Sequence, residues 1–165
     1  MNEKKDPDLF SDFLEILNAF AKNGVEYILI GGFAVIIHGF PRLTSDIDIF
    51  LKPEAKNLER LKRALKKIFP NDKEIDTISL KDLQEYSVIR YGTENGLYID
   101  ILSKIGKMFI YEDIDFEIRT IKGIPVRLAT AEALYKMKFD TLRPEDKRDA
   151  QFLAELIRNK NDRRE

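Results

Sequence analysis

The chain has 165 residues, of which 44% are hydrophobic and 35% charged, as in a soluble globular domain. Its 28 basic and 29 acidic residues nearly cancel, which excludes indiscriminate attraction to nucleic acid, and the absence of cysteine excludes disulfides and thiolate metal sites. Met1–Asp8 has no signal-peptide pattern and no uncharged run is long enough to span a membrane, so we predict one cytoplasmic domain over residues 1–165 without membrane contact.

Helix and strand patterns alternate at the start of the chain. Apolar residues recur with helical spacing over residues 9–20, which predicts an amphipathic helix. The apolar run 27–30 predicts a buried strand. Gly31-Gly32 then allows the backbone to turn tightly into a short helix over residues 33–38.

The rest of the chain continues this mixture of helices and strands. In chain order we predict a strand over 47–51, a helix from Pro53 to about Phe69, a short helix capped at Ser79, a hairpin of 87–91 and 97–102, a second hairpin of 116–121 and 124–128, a helix capped by Thr130 and a last helix from Pro144. These elements favour an α+β fold, with a mixed β-sheet and packed helices. The core would span residues 25–128 and C-terminal helices would follow over residues 130–158.

Two aspartates on the second predicted strand indicate a metal site. Asp46 and Asp48 are two residues apart, so both carboxylates face one side of the strand. Two like charges this close favour a bound cation, and Mg²⁺ prefers carboxylates together with substrate phosphates. Each feature alone has a simpler interpretation, since an isolated Asp-x-Asp is commonly a solvated strand end and also occurs in glycosyltransferases. The preceding Gly31-Gly32 gives the pair a phosphate-binding context.

Asp100 is a third candidate ligand, because it interrupts an otherwise apolar strand. Alone it would be a polar residue on an edge strand. If its strand pairs with the strand of Asp46 and Asp48, the three carboxylates converge as in two-metal phosphoryl transfer.

These motifs resemble those of the nucleotidyltransferase superfamily that includes DNA polymerase β, and most closely the minimal AbiEii-type members linked to toxin–antitoxin and phage-defence systems. The matching residues are Gly31, Gly32, Arg42, Thr44, Asp46, Asp48 and Asp100, followed by Lys138, Arg143, Asp146 and Asp149 in the C-terminal part. The resemblance spans about residues 27–155 and implies the nucleotidyltransferase fold.

The resemblance also implies a reaction. Asp46, Asp48 and Asp100 would bind two Mg²⁺ ions, and Asp100 would also accept the proton of the acceptor hydroxyl as it attacks the α-phosphate of an NTP. The nucleotide would be held by Gly31, Gly32, Arg42, Thr44 and Lys138. Many catalytic members carry serine after the first glycine, whereas Gly32 here offers only its backbone.

The implied function is transfer of an NMP group, AMP from ATP, to a protein or tRNA, within a toxin–antitoxin or phage-defence pair. The alternative is a weak or inactive member of the same fold that acts by binding a cognate toxin or antitoxin. Glycosyl transfer is a third hypothesis, and it leaves the Gly-Gly pair without a role.

Three further features have structural interpretations. The basic residues Lys56, Arg60, Arg63 and Lys67 lie on one stripe of a predicted helix, and a solvated face is favoured over an RNA contact. His38, the only histidine, is expected to pack or cap rather than to act in catalysis. Asp146 and Asp149 are expected to form ion pairs with Arg143 and Arg148.

Overall fold

A computed structural model describes residues 9–105 and 109–164, so Met1–Asp8 lies outside the described residues. The helices are α1 Leu9–Lys22, α2 Gly31–Ile37, α3 Ala55–Ile68, α4 Glu74–Thr77, α5 Leu80–Glu85, α6 Ala131–Lys138 and α7 Pro144–Asp162. The strands are β1 Tyr27–Ile30, β2 Asp46–Leu51, β3 Ile89–Gly92, β4 Tyr98–Leu102, β5 Lys104–Ile105, β6 Phe109–Ile110, β7 Phe116–Ile121 and β8 Ile124–Ala129. No helix within the described ranges is both long and apolar enough to cross a membrane.

Six strands form one mixed sheet in the order β3-β4-β2-β1-β8-β7. The pairs β2–β4 and β1–β8 are parallel, while β1–β2, β3–β4 and β7–β8 are antiparallel. Both predicted hairpins are present, and the second turns at Lys122-Gly123, where both residues have positive φ angles. The predicted α+β fold with a mixed sheet is therefore confirmed.

The alternating pattern of β2 separates a buried side of the sheet from a polar side. Ile47 and Ile49 are fully buried, whereas Asp46 and Asp48 are only half-buried. Helix α1 packs against α3 and β8, and the buried residues form one continuous core. Helices α6 and α7 pack against each other, and α2 contacts both of them. The C-terminal helices thus stand beside the segment that begins at Gly31.

Local sequence signals place most helix ends correctly. The hydroxyls of Ser79 and Thr130 each accept a hydrogen bond, at 3.1 Å, from an amide in the first turn of α5 and α6. Helix α2 differs, because it begins at Gly31 and not at Phe33, so the Gly-Gly pair is its first turn. Helix α4 and the β5–β6 pair were not predicted, since segments of two to four residues are too short for a hydrophobic period.

Candidate active site

Strand pairing brings the three predicted carboxylates together. Strand β2 runs parallel to β4 with Asp48 directly opposite Asp100, and Asp46 lies two residues earlier on the same face. All three line one cleft of about 600 Å³. The convergence expected from the sequence is present, and the role of these residues as metal ligands stays a prediction.

Gly31 makes room for the carboxylate of Asp48. The antiparallel register of β1 and β2 sets Ile30 opposite Asp48, and Gly31 follows with a φ of +72°. A Cβ atom at Gly31 would lie 1.9 Å from Oδ2 of Asp48, which is far inside van der Waals contact. Only glycine satisfies both the positive φ angle and this approach.

The three carboxylates carry more negative charge than their surroundings balance. Burial raises the pKa of Asp48 from 3.8 to about 7, and the neighbouring charges of Asp100 and Asp46 add to this effect, while Lys138 opposes it. A cation bound among these oxygens would relieve the repulsion.

Arg90 already supplies one positive charge to this group. Its Nε donates to Oδ1 of Asp100 at 2.8 Å, and its Nη2 donates to Oδ2 of Asp100 at 2.9 Å and to Oδ2 of Asp46 at 3.2 Å. Hydrogen bonds and charge from Asp100 raise the pKa of Arg90. In this arrangement, no three Asp, Glu, His or Cys side chains among the described residues are placed to hold a metal ion together.

Asp48→Asn is expected to stabilise the metal-free fold at pH 8 by about 1–3 kcal/mol and by less than half as much at pH 5. The pKa of Asp48 is higher in the folded state than in the unfolded state, so the folded state holds its proton more tightly. The contribution of Asp48 to stability therefore falls as the pH rises from about 4 towards 7. Urea unfolding in EDTA at several pH values measures this, and an equal effect at pH 5 and pH 8 would contradict it.

Two cations also line the cleft and are held by carboxylates of α7. Nη1 of Arg42 lies 2.5 Å from Oδ2 of Asp149, and Nζ of Lys138 lies 2.9 Å from the same oxygen. Lys138 also contacts Oδ1 of Asp146 at 3.0 Å, and Arg42 contacts Glu145 at 3.3 Å. Arg42 and Lys138 thus face the cleft as oriented charges.

Asp149 is the buried centre of this network. Its side chain is 1% exposed, and its Oδ1 has no hydrogen-bond partner within the described part of the chain. The expected ion pairs of Asp146 and Asp149 therefore form with different partners from those predicted. Lys138 and Arg42 take the place of Arg143 and Arg148, because α6 and the loop before β2 pack against the start of α7.

The remaining predicted nucleotide-binding residues also border the cleft. Gly32 lies against the guanidinium of Arg42, since a Cβ atom at Gly32 would be 3.1 Å from Cζ of Arg42. The hydroxyl of Thr44 lies 3.4 Å from the carbonyl oxygen of Asp46 and so helps to set the start of β2. All eight predicted site residues therefore lie around the same cleft.

Two features that the sequence singled out lie outside the cleft lining. His38 is 8% exposed, its Nε2 lies 2.9 Å from the carbonyl oxygen of Ala129, and burial lowers its pKa, as suits a packing residue. In the basic stripe of α3, Arg60 donates from Nη1 to the carbonyl oxygen of Gly24 at 3.5 Å, and the adjacent Lys66 forms an ion pair with Asp76. The RNA contact of the basic stripe stays untested.

Sequence reasoning missed Arg90, although one signal was available. A hairpin that closes at Thr93 and Leu97 pairs residues symmetrically, which sets Arg90 opposite Asp100. A cation three residues before Thr93 therefore belongs beside the third carboxylate.

Comparisons with known proteins identify a family and a fold. The profile of a family described as "Nucleotidyl transferase of unknown function" matches residues 9–164. Among curated proteins none matches significantly.

Several solved structures share the fold. The lincomycin-bound lincosamide antibiotic adenylyltransferase LnuA is 17% identical, with 87% of this chain and 95% of that chain covered and a TM-score of 0.51. ANT(2″)-Ia in complex with adenylyl-2″-tobramycin is 12% identical, with coverage of 89% and 88% and a TM-score of 0.52. An antigenic nucleotidyltransferase-like protein from Paracoccidioides brasiliensis is 19% identical, with coverage of 88% and 77% and a TM-score of 0.53.

Proposed function

The chain belongs to the family of nucleotidyl transferases of unknown function, and from this premise we propose that it transfers AMP from Mg²⁺-bound ATP to a hydroxyl group of a macromolecular acceptor. One observation carries the proposal. Three carboxylates, Asp46, Asp48 and Asp100, converge in a cleft that Arg42 and Lys138 also line. Carboxylates suited to a metal ion and cations suited to a triphosphate thus line the same cleft, which supports the proposal.

The donor set suits magnesium. Carboxylate oxygens are the ligands that Mg²⁺ prefers, and the raised pKa of Asp48 marks a site that gains from a bound cation. Asp46 and Asp48 would hold both ions and Asp100 would complete one of the two sites. When bound, the metal supplies charge neutralisation on the triphosphate and acidifies the acceptor hydroxyl.

The side chains of the cleft would bind the nucleotide and accept the proton. Arg42 and Lys138 bind the oxygens of the triphosphate and stabilise the charge that develops on the leaving pyrophosphate. Gly31 and Gly32 let those phosphates approach the backbone. Asp100 accepts the proton of the acceptor hydroxyl, whose oxygen bonds to the α-phosphorus while the bond to the β-phosphate oxygen breaks.

The cleft favours a protein over tRNA as acceptor. Its lining has five acidic residues, Asp46, Asp48, Asp100, Glu145 and Asp146, and four basic ones, Arg42, Arg90, Lys138 and Arg143, so it lacks the positive excess that an RNA backbone requires. Leu43 and Leu142, in the loops before β2 and α7, are 93% and 90% exposed and offer apolar contacts near the cleft. The cognate member of a toxin–antitoxin or phage-defence pair is the acceptor we propose.

The test is transfer of label from ATP labelled at the α-phosphate, with Mg²⁺, to parallel acceptors. These are the product of the adjacent gene, total tRNA, an aminoglycoside and a lincosamide. The last two are included because LnuA is described as a lincosamide antibiotic adenylyltransferase and the structure of ANT(2″)-Ia contains adenylyl-2″-tobramycin. Label on the protein acceptor supports the proposal, and tight binding to that partner without any transfer supports the alternative of a binding protein.

Gly32→Ser is expected to raise the KM for ATP about two- to fivefold without raising kcat. Its Cβ atom would press on the guanidinium of Arg42, which already occupies the space beside the cleft. Gly92→Ser is the control, because its Cβ would meet only Tyr98 at an ordinary 3.4 Å. A tenfold gain in kcat for Gly32→Ser would instead mean that the Gly-Gly pair weakens an enzyme whose relatives use serine.

A further inference from the structure

Arg90 occupies the space between two of the proposed metal ligands. It lies on the edge strand β3, directly opposite Asp100, and its guanidinium contacts both oxygens of Asp100 and one oxygen of Asp46. On its other side the guanidinium lies 4.8 Å from the centre of the Tyr98 ring. These contacts bridge carboxylates from two strands, as a bound cation would.

The same contacts oppose metal binding. A divalent ion held by Asp46 and Asp100 needs the oxygens that Arg90 engages, and a guanidinium beside that ion would repel it. The guanidinium and the metal therefore compete for one position.

Arg90 is free to leave that position. Its side chain is 52% exposed, compared with 11% for Asp100, and no strand pairs with β3 on its outer side in the described sheet. When the Arg90 side chain moves away, water replaces its contacts with the carboxylates. The ring of Tyr98 still offers the guanidinium a cation–π contact. The aspartates, in contrast, lie on β4 and β2, each of which is paired with a strand on both sides.

We propose that the guanidinium of Arg90 takes the place of the metal ion in the metal-free protein. There it holds Asp46 and Asp100 together, and it moves away when the metal binds. The inference rests on the proposed function, because it assumes that these carboxylates bind a divalent ion. Arg90 would then set the metal concentration at which the site fills. Removal of the guanidinium should therefore strengthen metal binding, although it removes a contact from the site.

Calorimetric titration with Mn²⁺ alone, in the absence of nucleotide, tests this competition. We expect Arg90→Gln to bind Mn²⁺ about tenfold more tightly than the wild type, and Arg90→Lys about two- to threefold more tightly, because lysine keeps the charge but not the fork that bridges both carboxylates. Arg63→Gln on α3 is the matched control, since it removes the same charge outside the cleft and should change affinity less than twofold.

The outcomes separate this inference from the proposed function. Equal or weaker Mn²⁺ binding by Arg90→Gln, with binding by the wild type retained, overturns the role of Arg90 and leaves the metal site intact. Equal gains in Arg90→Gln and Arg63→Gln mean that overall charge is the cause, and they also overturn it. Absence of Mn²⁺ binding in every variant overturns the metal site and the role of Arg90 together. Thermal unfolding of each variant confirms that the folded protein was titrated.

Discussion

The Asp48→Asn variant is expected to lose nucleotidyl transfer by about 10³-fold or more, a loss of about 4 kcal/mol of transition-state stabilisation. Asp48 lies directly opposite Asp100 and beside Gly31. An amide at this position keeps the shape of the side chain but removes the charge that would hold a metal ion. The measurement is single-turnover transfer from labelled ATP at saturating Mg²⁺.

Asp162→Asn is the control for this loss, because it makes the same chemical change at an exposed position at the end of α7 that does not line the cleft. It should transfer label at the wild-type rate. If Asp48→Asn retained more than a tenth of the wild-type rate, the three carboxylates would not be the catalytic site. Circular dichroism of both variants excludes misfolding as the cause.

Gly31→Ala is expected to destabilise the protein by about 3–4 kcal/mol and to abolish transfer. The new methyl group would combine two costs, a positive φ angle of +72° and a contact of 1.9 Å with Oδ2 of Asp48. Asp48 would have to turn away from Asp100, so the carboxylate group would be disrupted even in molecules that fold. Urea unfolding and the transfer assay measure the two effects.

Gly24→Ala separates these two costs. Gly24 has nearly the same φ angle, +66°, but no atom lies within 4 Å of its would-be Cβ. It should lose only about 1–2 kcal/mol, the cost of the left-handed backbone, and keep full activity. Equal destabilisation by the two substitutions would show that the close approach of Asp48 to Gly31 is unimportant.

The carboxylates proposed to carry the chemistry also destabilise the metal-free fold. Burial and the adjacent carboxylates raise the pKa of Asp48, so the metal-free fold is under electrostatic strain that neutralisation relieves. The same Asp48→Asn substitution is therefore expected to stabilise the protein at pH 8 and to inactivate it. Such opposition between stability and activity is characteristic of functional sites.

Much of the fold followed from local patterns. The alternation of aspartate and isoleucine in Asp46–Leu51 specifies a strand with one polar and one buried face, and the structure has that strand. Turn residues such as Lys122-Gly123 and caps such as Thr130 act within a few residues, so the chain itself contains the whole signal. The resemblance to the nucleotidyltransferase superfamily rested on the same short motifs and is confirmed at that level.

Local patterns did not specify the partners of charged side chains. Asp149 pairs with Arg42, 107 residues away, and not with the nearby Arg143 or Arg148 that helical spacing suggested. The position of α7 against the loop before β2 decides this, and no local rule sets that packing. The same holds for Lys138, whose burial follows from two carboxylates on α7.

The sequence by itself determined which residues are candidates for the proposed chemistry, because glycines, paired aspartates and strand alternation have meanings that depend only on the nearby backbone. The tertiary structure decided how those residues meet. Parallel pairing of β2 with β4 set Asp48 against Asp100, and the β3–β4 hairpin added Arg90 between the carboxylates. Such contacts depend on sheet order and on long-range packing of the whole core, which local sequence patterns do not encode.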